Sequence, residues 1–167
     1  MNKKNMVLIG MPGCGKSTIG RILSKKINKE FIDIDEYIEK IEKKTIQEIF
    51  LNGEMFFREI EKKAVKEMSQ KKDMVISTGG GVVKFHENID HLKENGVVFF
   101  IDRPIDHIIE DINTNTRPLL KEGKEKIYQL YEERYSLYIK YCDYQVKNDN
   151  TLEGVIEKIL VLWELEK

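Results

Sequence analysis

An α/β domain with a central parallel sheet is the fold class this sequence predicts. Short apolar runs alternate with stretches of helical periodicity along the whole chain, the pattern of strands joined by crossover helices. The first such run passes straight into a glycine-rich loop and a helix, and parallel strands aim such ends at a ligand crevice. No repeat, linker or low-complexity tract interrupts the 167 residues, a length that suits one core and is short for two.

Asn5 to Ile9 reads as a buried strand, followed by the loop and a helix from about Lys16 to Ile27, with Ile19, Ile22, Leu23 and Ile27 at helical spacing. Phe31-Ile32-Asp33-Ile34 is a second strand, running into a helical pattern at Tyr37, Ile38 and Ile41. Thr45 and Glu48 have the spacing of a capping box and open another helix, which Gly53 interrupts. A longer amphipathic helix then carries Phe56, Phe57, Ile60, Ala64, Val65 and Met68. Met74-Val75-Ile76-Ser77 is a buried strand that stops at Thr78-Gly79-Gly80-Gly81, and Gly96 to Ile101 is the next. A helix near Pro104 to Ile112, a polar stretch from Asn113 to Gly123 and a tyrosine-bearing helix to about Lys140 follow. Tyr144-Gln145-Val146 is the last strand. Asn150 and Glu153, at capping-box spacing, precede a closing helix with Val155, Ile156, Ile159, Leu160 and Leu162. Pattern leaves the order of strands along the sheet open.

Gly10-Met11-Pro12-Gly13-Cys14-Gly15-Lys16-Ser17-Thr18 satisfies G-x-x-x-x-G-K-[ST] in the context that motif requires, after a strand and before a helix. Glycines let backbone N–H groups converge on phosphate oxygens, and the helix N-terminus adds the positive end of its dipole. Lys16 is expected to reach the β- and γ-phosphates, and the Ser17 hydroxyl to ligate Mg²⁺. A dinucleotide fingerprint is not completed, because Gly13 and Gly15 are followed by Lys16-Ser17-Thr18. Cys14 reads as a small loop residue; a reactive thiol at a helix N-terminus is the weaker reading.

Asp33 and Asp35 alternate at the end of the second strand. If Ile32 and Ile34 face the core, both carboxylates emerge on the other side, beside the phosphate loop. Two like charges there call for a cation or a donor hydroxyl, whereas a solvated turn is the bland alternative. The run Gly79-Gly80-Gly81 costs entropy, so a backbone that closely approaches a ligand explains it better than an ordinary turn. Arginine is scarce: of 28 basic residues only Arg21, Arg58, Arg103, Arg117 and Arg134 carry the planar fork that grips carboxylate or phosphate. A formal net charge of -1 gives no field for holding nucleic acid. The apolar run Met6 to Ile9 is too short for a signal peptide, and no stretch is long enough to span a bilayer. Cys14 and Cys142 offer no metal-ligand spacing or disulfide framework, and a cytoplasmic protein is expected.

Lys16-Ser17 after glycines, Asp33-Ile34-Asp35, Gly53-Glu54 with Phe57-Arg58 and Glu61, Thr78-Gly79-Gly80-Gly81, Arg117-Pro118-Leu119-Leu120, and Arg134 before Leu137-Tyr138 occur in this order. As an ordered set covering nearly the whole chain they closely resemble the shikimate kinases. The resemblance implies a P-loop NTPase fold of the nucleoside-monophosphate-kinase type, with about five parallel strands flanked by helices and a mobile lid. One domain over 1–167 is implied, with acceptor-binding helices at about 34–62 and the lid at about 113–124. It implies transfer of the γ-phosphoryl of ATP to the 3-hydroxyl of shikimate, with Mg²⁺, in a protein that binds neither nucleic acid nor membrane and is a monomer or weak dimer. Carried over, Gly13, Cys14, Gly15, Lys16, Ser17, Thr18 and Arg117 would bind ATP. Asp35 would orient the acceptor hydroxyl, and Ser17 and, through water, Asp33 would hold the metal. Arg58 and Arg134 would clamp the shikimate carboxylate, Gly79, Gly80 and Gly81 would line its ring, and Arg117 would close onto the phosphates.

Two departures from that family's pattern stand out. Glu110-Asp111-Ile112 occupies the region where many members carry an arginine near adenine, and Asn148-Asp149-Asn150 is a substitute contact or only a helix-opening turn. Ser136 replaces a proline common after the second clamp arginine. The histidines His86, His91 and His107 are expected to be exposed, and the tyrosines Tyr128, Tyr131, Tyr135, Tyr138 and Tyr141 to pack. Arg21 and Arg103 receive no role. A gluconate-type kinase and a non-catalytic ATP-binding module are the alternatives; neither requires Arg58, the glycine run and Arg134 together with Asp35.

Overall fold

The computed structural model describes residues 5–112 and 123–166. Five strands, β1 (Asn5–Ile9), β2 (Glu30–Asp33), β3 (Met74–Ser77), β4 (Gly96–Asp102) and β5 (Tyr144–Lys147), form one parallel sheet in the order β2-β3-β1-β4-β5. Helices α1 (Lys16–Lys26), α2 (Ile34–Glu42), α3 (Ile46–Phe50), α4 (Glu54–Ser69), α5 (His86–Asn95), α6 (Ile105–Ile112), α7 (Lys124–Tyr141) and α8 (Leu152–Glu164) connect and cover it.

Central strands of a parallel sheet are covered on both faces, which explains why β1 and β4 read as unbroken apolar runs. Every residue of β1 is buried, as is β4 up to Ile101. Adjacent residues on β4 show the two layers directly. Phe99 stacks with Tyr144 and meets Trp163 of α8, whereas Phe100 packs against Tyr135 and Tyr138 of α7. Side chains alternate across a strand, so α8 and α7 lie on opposite faces. The chain reverses direction across the sheet at β1, between β3 and β4, and a doubly wound sheet opens its ligand crevice at such a point. The phosphate loop follows β1, and Thr78 is tied beside it, its N–H and hydroxyl both donating to the Leu8 carbonyl.

Four sequence expectations change. The second strand ends at Asp33, and Ile34, fully buried, is the first residue of α2. Ile41 and Phe56, expected on buried helix faces, and Tyr128, expected to pack, are about half exposed at 46%, 48% and 44%. The cap of α8 is Thr151, whose hydroxyl accepts from the Gly154 N–H, rather than Asn150. Helix α5 has no counterpart in the sequence pattern, because it buries only Ile89 and Leu92 among its apolar positions, too few to mark a period. By contrast the Thr45–Glu48 capping box forms in full at the start of α3. The expected lid, with Arg117, lies outside the described residues apart from its last positions. Among the described residues no helix is long and apolar enough to cross a membrane.

Candidate active site

The loop between β1 and α1 turns at Gly15, whose φ of 100° is open to glycine and strained for other residues. Lys16 follows as the first residue of α1 and is buried; its Nζ donates to the carbonyls of Gly10 (2.8 Å) and Met11 (3.0 Å). Cys14 is fully buried, its Sγ 3.6 Å from Lys16 Nζ, which leaves no accessible thiol and sets aside the reactive reading. Two further residues anchor the loop. Asn148 Nδ2 donates to the Cys14 carbonyl (2.9 Å), and Arg103 Nη1 donates to the Gly13 carbonyl (3.1 Å) while pairing with Asp111 (2.6 Å). Arg103 thus acquires a place beside the loop that sequence alone did not supply.

Asp33 and Asp35 do come together beside the loop, by a different route from strand alternation. Asp33 is the N-cap of α2: its Oδ1 accepts the N–H groups of Asp35 (3.0 Å) and Glu36 (3.2 Å). That leaves Oδ2 to accept from the Ser17 hydroxyl at 2.5 Å. Ser77, paired in register with Asp33 across β2 and β3, lies 3.4 Å from Ser17 Oγ and completes a cluster of hard oxygens. Asp35 follows in the first turn of α2. The residue is only partly covered, yet its Oδ1 is shut from solvent without a hydrogen-bond partner. Burial, reinforced by the carboxylates of Asp33 and Glu61 and opposed by Lys16 and Arg58, pushes its pKa up to about 7.

Two adjoining cavities meet at Asp35. One of about 450 Å³ is lined by Gly13, Gly15, Lys16, Ser17 and Thr18 on its loop side. The other, about 350 Å³, is lined by Arg58 and Glu61 of α4 and by Arg134 of α7. Asp35, Gly79 and Gly80 line both. The second cavity holds a buried charge cluster: Arg58 Nη1 donates to Glu61 Oε2 at 2.8 Å, with both side chains at most 5% exposed. Glu61 Oε1 and Arg134 Nε are buried without partners, so this cavity carries unspent donor and acceptor capacity. Burial raises the Glu61 pKa despite the pull of Arg58 and Arg134.

The glycine run makes its close approaches to the site's own side chains. None of Gly79, Gly80 and Gly81 has a positive φ, so what matters is the missing Cβ. A Cβ on Gly79 would stand 2.9 Å from Asp35 Oδ1 and 3.1 Å from Glu61 Oε1. On Gly80 it would enter the Pro12 ring at 2.6 Å, and on Gly81 it would overlap the Arg58 guanidinium. Tyr138, read from sequence as packing, also fixes this wall: its buried hydroxyl donates to the Gly80 carbonyl at 2.5 Å. Gly81→Ala should therefore push Arg58 off Glu61 and strand a buried carboxylate, costing on the order of 2 kcal/mol and lowering the thermal midpoint by about 4–8 °C. A midpoint within about 1 °C of the parent, on the same scale, would show that the guanidinium is not held against Gly81.

A family model described as shikimate kinase matches residues 12–163. The shikimate kinase of Clostridium botulinum is 55% identical over 157 residues, covering 94% of this chain and 95% of that protein. Among solved structures, shikimate kinase from Acinetobacter baumannii in complex with shikimate superposes with a TM-score of 0.91 at 31% identity, covering 98% of this chain and 94% of that one. A gluconokinase from Sinorhizobium meliloti shares the fold at a TM-score of 0.65 and 15% identity, with 98% of this chain and 93% of that one covered.

Proposed function

The chain belongs to the shikimate kinase family, and on that premise we propose that it transfers the γ-phosphoryl group of ATP to the 3-hydroxyl of shikimate, a step toward chorismate and the aromatic amino acids. One observation carries the reading beyond family membership. Asp35 stands where a cavity lined by the phosphate loop joins a cavity lined by buried arginines.

The phosphate loop, Gly13 to Thr18, binds the phosphates of ATP through its N–H groups and the α1 terminus, and Lys16 exchanges its loop carbonyls for phosphate oxygens. Arg58 and Arg134 hold the acceptor's carboxylate, and the wall of Gly79 to Gly81 limits where the ring lies. Asp35 then accepts a hydrogen bond from the hydroxyl that attacks, and takes its proton as the phosphoryl group moves across. Phosphoryl transfer depends chiefly on positioning and charge stabilisation, so these fixed groups supply most of what the reaction needs. Arg117 lies outside the described residues; the motif gives it the role of a positive charge on the phosphates.

The donor set suits Mg²⁺. Ser17 Oγ and Asp33 Oδ2 are hard oxygens 2.5 Å apart, and Asp33 is already oriented by its cap bonds. When bound, Mg²⁺ neutralises charge on the phosphoryl oxygens.

ADP release measured with Mg²⁺-ATP, with shikimate, with gluconate and with neither tests the assignment. Turnover should depend on shikimate. Turnover with gluconate alone would move the chain to the other acceptor, and nucleotide binding with no turnover on either acid would leave only a binding module.

A further inference from the structure

Lys84 ends the short 3₁₀ turn Val82–Lys84 directly after the glycine run, at the mouth of the arginine-lined cavity. Its Nζ donates to Glu54 Oε1 at 2.8 Å and pairs with Glu133 Oε1 at 2.9 Å. The two carboxylates belong to the helices that carry the arginines. Glu54 opens α4, and its Oε1 also accepts from Arg58 Nε and Nη2, each at 3.2 Å; Glu133 directly precedes Arg134 on α7. A chain of charge, Arg58–Glu54–Lys84–Glu133, therefore spans the cavity mouth from one helix to the other. The Lys84 hydrogen bond holds Glu54 below the ordinary carboxylate range, against burial, which acts to raise it.

We infer that Lys84 is a positioning residue for the acceptor: it ties α4 to α7 across the cavity mouth and neutralises Glu54 and Glu133 so that an anionic acceptor can reach Arg58 and Arg134. The inference rests on the acceptor being a carboxylate, as proposed above. Without the ammonium, Glu54 keeps only Arg58 as a cation and competes with the substrate for it. Glu133 loses its Lys84 partner at the entrance, where its charge opposes an incoming carboxylate. ATP, bound in the neighbouring cavity, would be unaffected.

Steady-state kinetics of wild type, Lys84→Met, Lys84→Arg, Glu133→Gln and the Lys84→Met/Glu133→Gln double variant, with thermal midpoints for each, test this. Since these groups are partly solvated, Lys84→Met should raise the shikimate KM about fivefold, while kcat and the ATP KM stay within about twofold. Lys84→Arg should restore most of the loss, and the double variant should be less impaired than the product of the single effects. An unchanged shikimate KM in Lys84→Met overturns the inference, as does a fall in kcat that tracks loss of thermal stability. Strictly multiplicative effects with no rescue by arginine would also overturn it, by making Lys84 a direct ligand. Failure of the underlying functional reading is distinguishable, since the wild type itself would then show no shikimate-dependent turnover.

Discussion

Asp35→Asn should lower phosphoryl transfer by about a hundredfold to ten-thousandfold, the range typical of a lost general base, while ATP affinity stays within about twofold. The substitution keeps shape and hydrogen-bonding reach but cannot take a proton. Its pH behaviour gives a second signature. Only the ionised carboxyl can act, and its pKa stands at about 7, so wild-type kcat/KM should fall about tenfold per pH unit below that value. The variant's residual rate should lose this acid limb. Stability moves the other way. The folded-state pKa lies above the ordinary value of 3.8, so the folded protein holds a proton that the unfolded chain releases, and stability falls as pH rises from about 4 to 7. Asparagine carries no such cost. Asp35→Asn should therefore melt higher than the parent above pH 7, with the gap closing toward pH 4. Equal loss of ATP binding, or a variant that melts lower at pH 8, would contradict the role given to this carboxyl.

Arg58→Lys and Arg134→Lys should each raise the shikimate KM about tenfold to a hundredfold, the loss of one charge-assisted hydrogen bond of about 1.5–3 kcal/mol. The two should differ in stability. Arg58 satisfies Glu61 through Nη1 and the half-exposed Glu54 through Nε and Nη2, so lysine leaves the buried Glu61 carboxylate short and the midpoint should drop. Arg134 has an unpartnered buried Nε, and its replacement strands less. Affinity measured by calorimetry and midpoints by thermal denaturation would separate the effects. Unchanged shikimate affinity in both variants would remove the carboxylate clamp from the account.

Contiguity decides what was legible in the sequence. The phosphate loop was readable because strand, glycines, Lys16 and helix are consecutive and the chemistry lies in the backbone itself. Arg58 and Glu61 were readable as one turn of a helix, and the structure finds them paired and buried. The acids were located without their geometry. Asp33 before Ile34-Asp35-Glu36 is a helix-start signal, an N-cap with acids in the first turn, that competed with the strand pattern of Phe31 to Ile34. What the glycine run makes room for could not be read, because its neighbours Asp35, Pro12 and Arg58 arrive from three other segments. Ser77 is an ordinary strand end until the β2–β3 register sets it beside Asp33 and Ser17. Lys84 was one lysine among many until α4 and α7 closed around it.

The product itself tests the central claim most directly. After incubation with Mg²⁺-ATP and shikimate, phosphorus–proton correlation spectroscopy should show a new phosphomonoester coupled to the ring proton at carbon 3, formed in step with ADP. ADP formed without that ester, or an ester on a different hydroxyl, would contradict the placement of the acceptor between Asp35 and the two arginines.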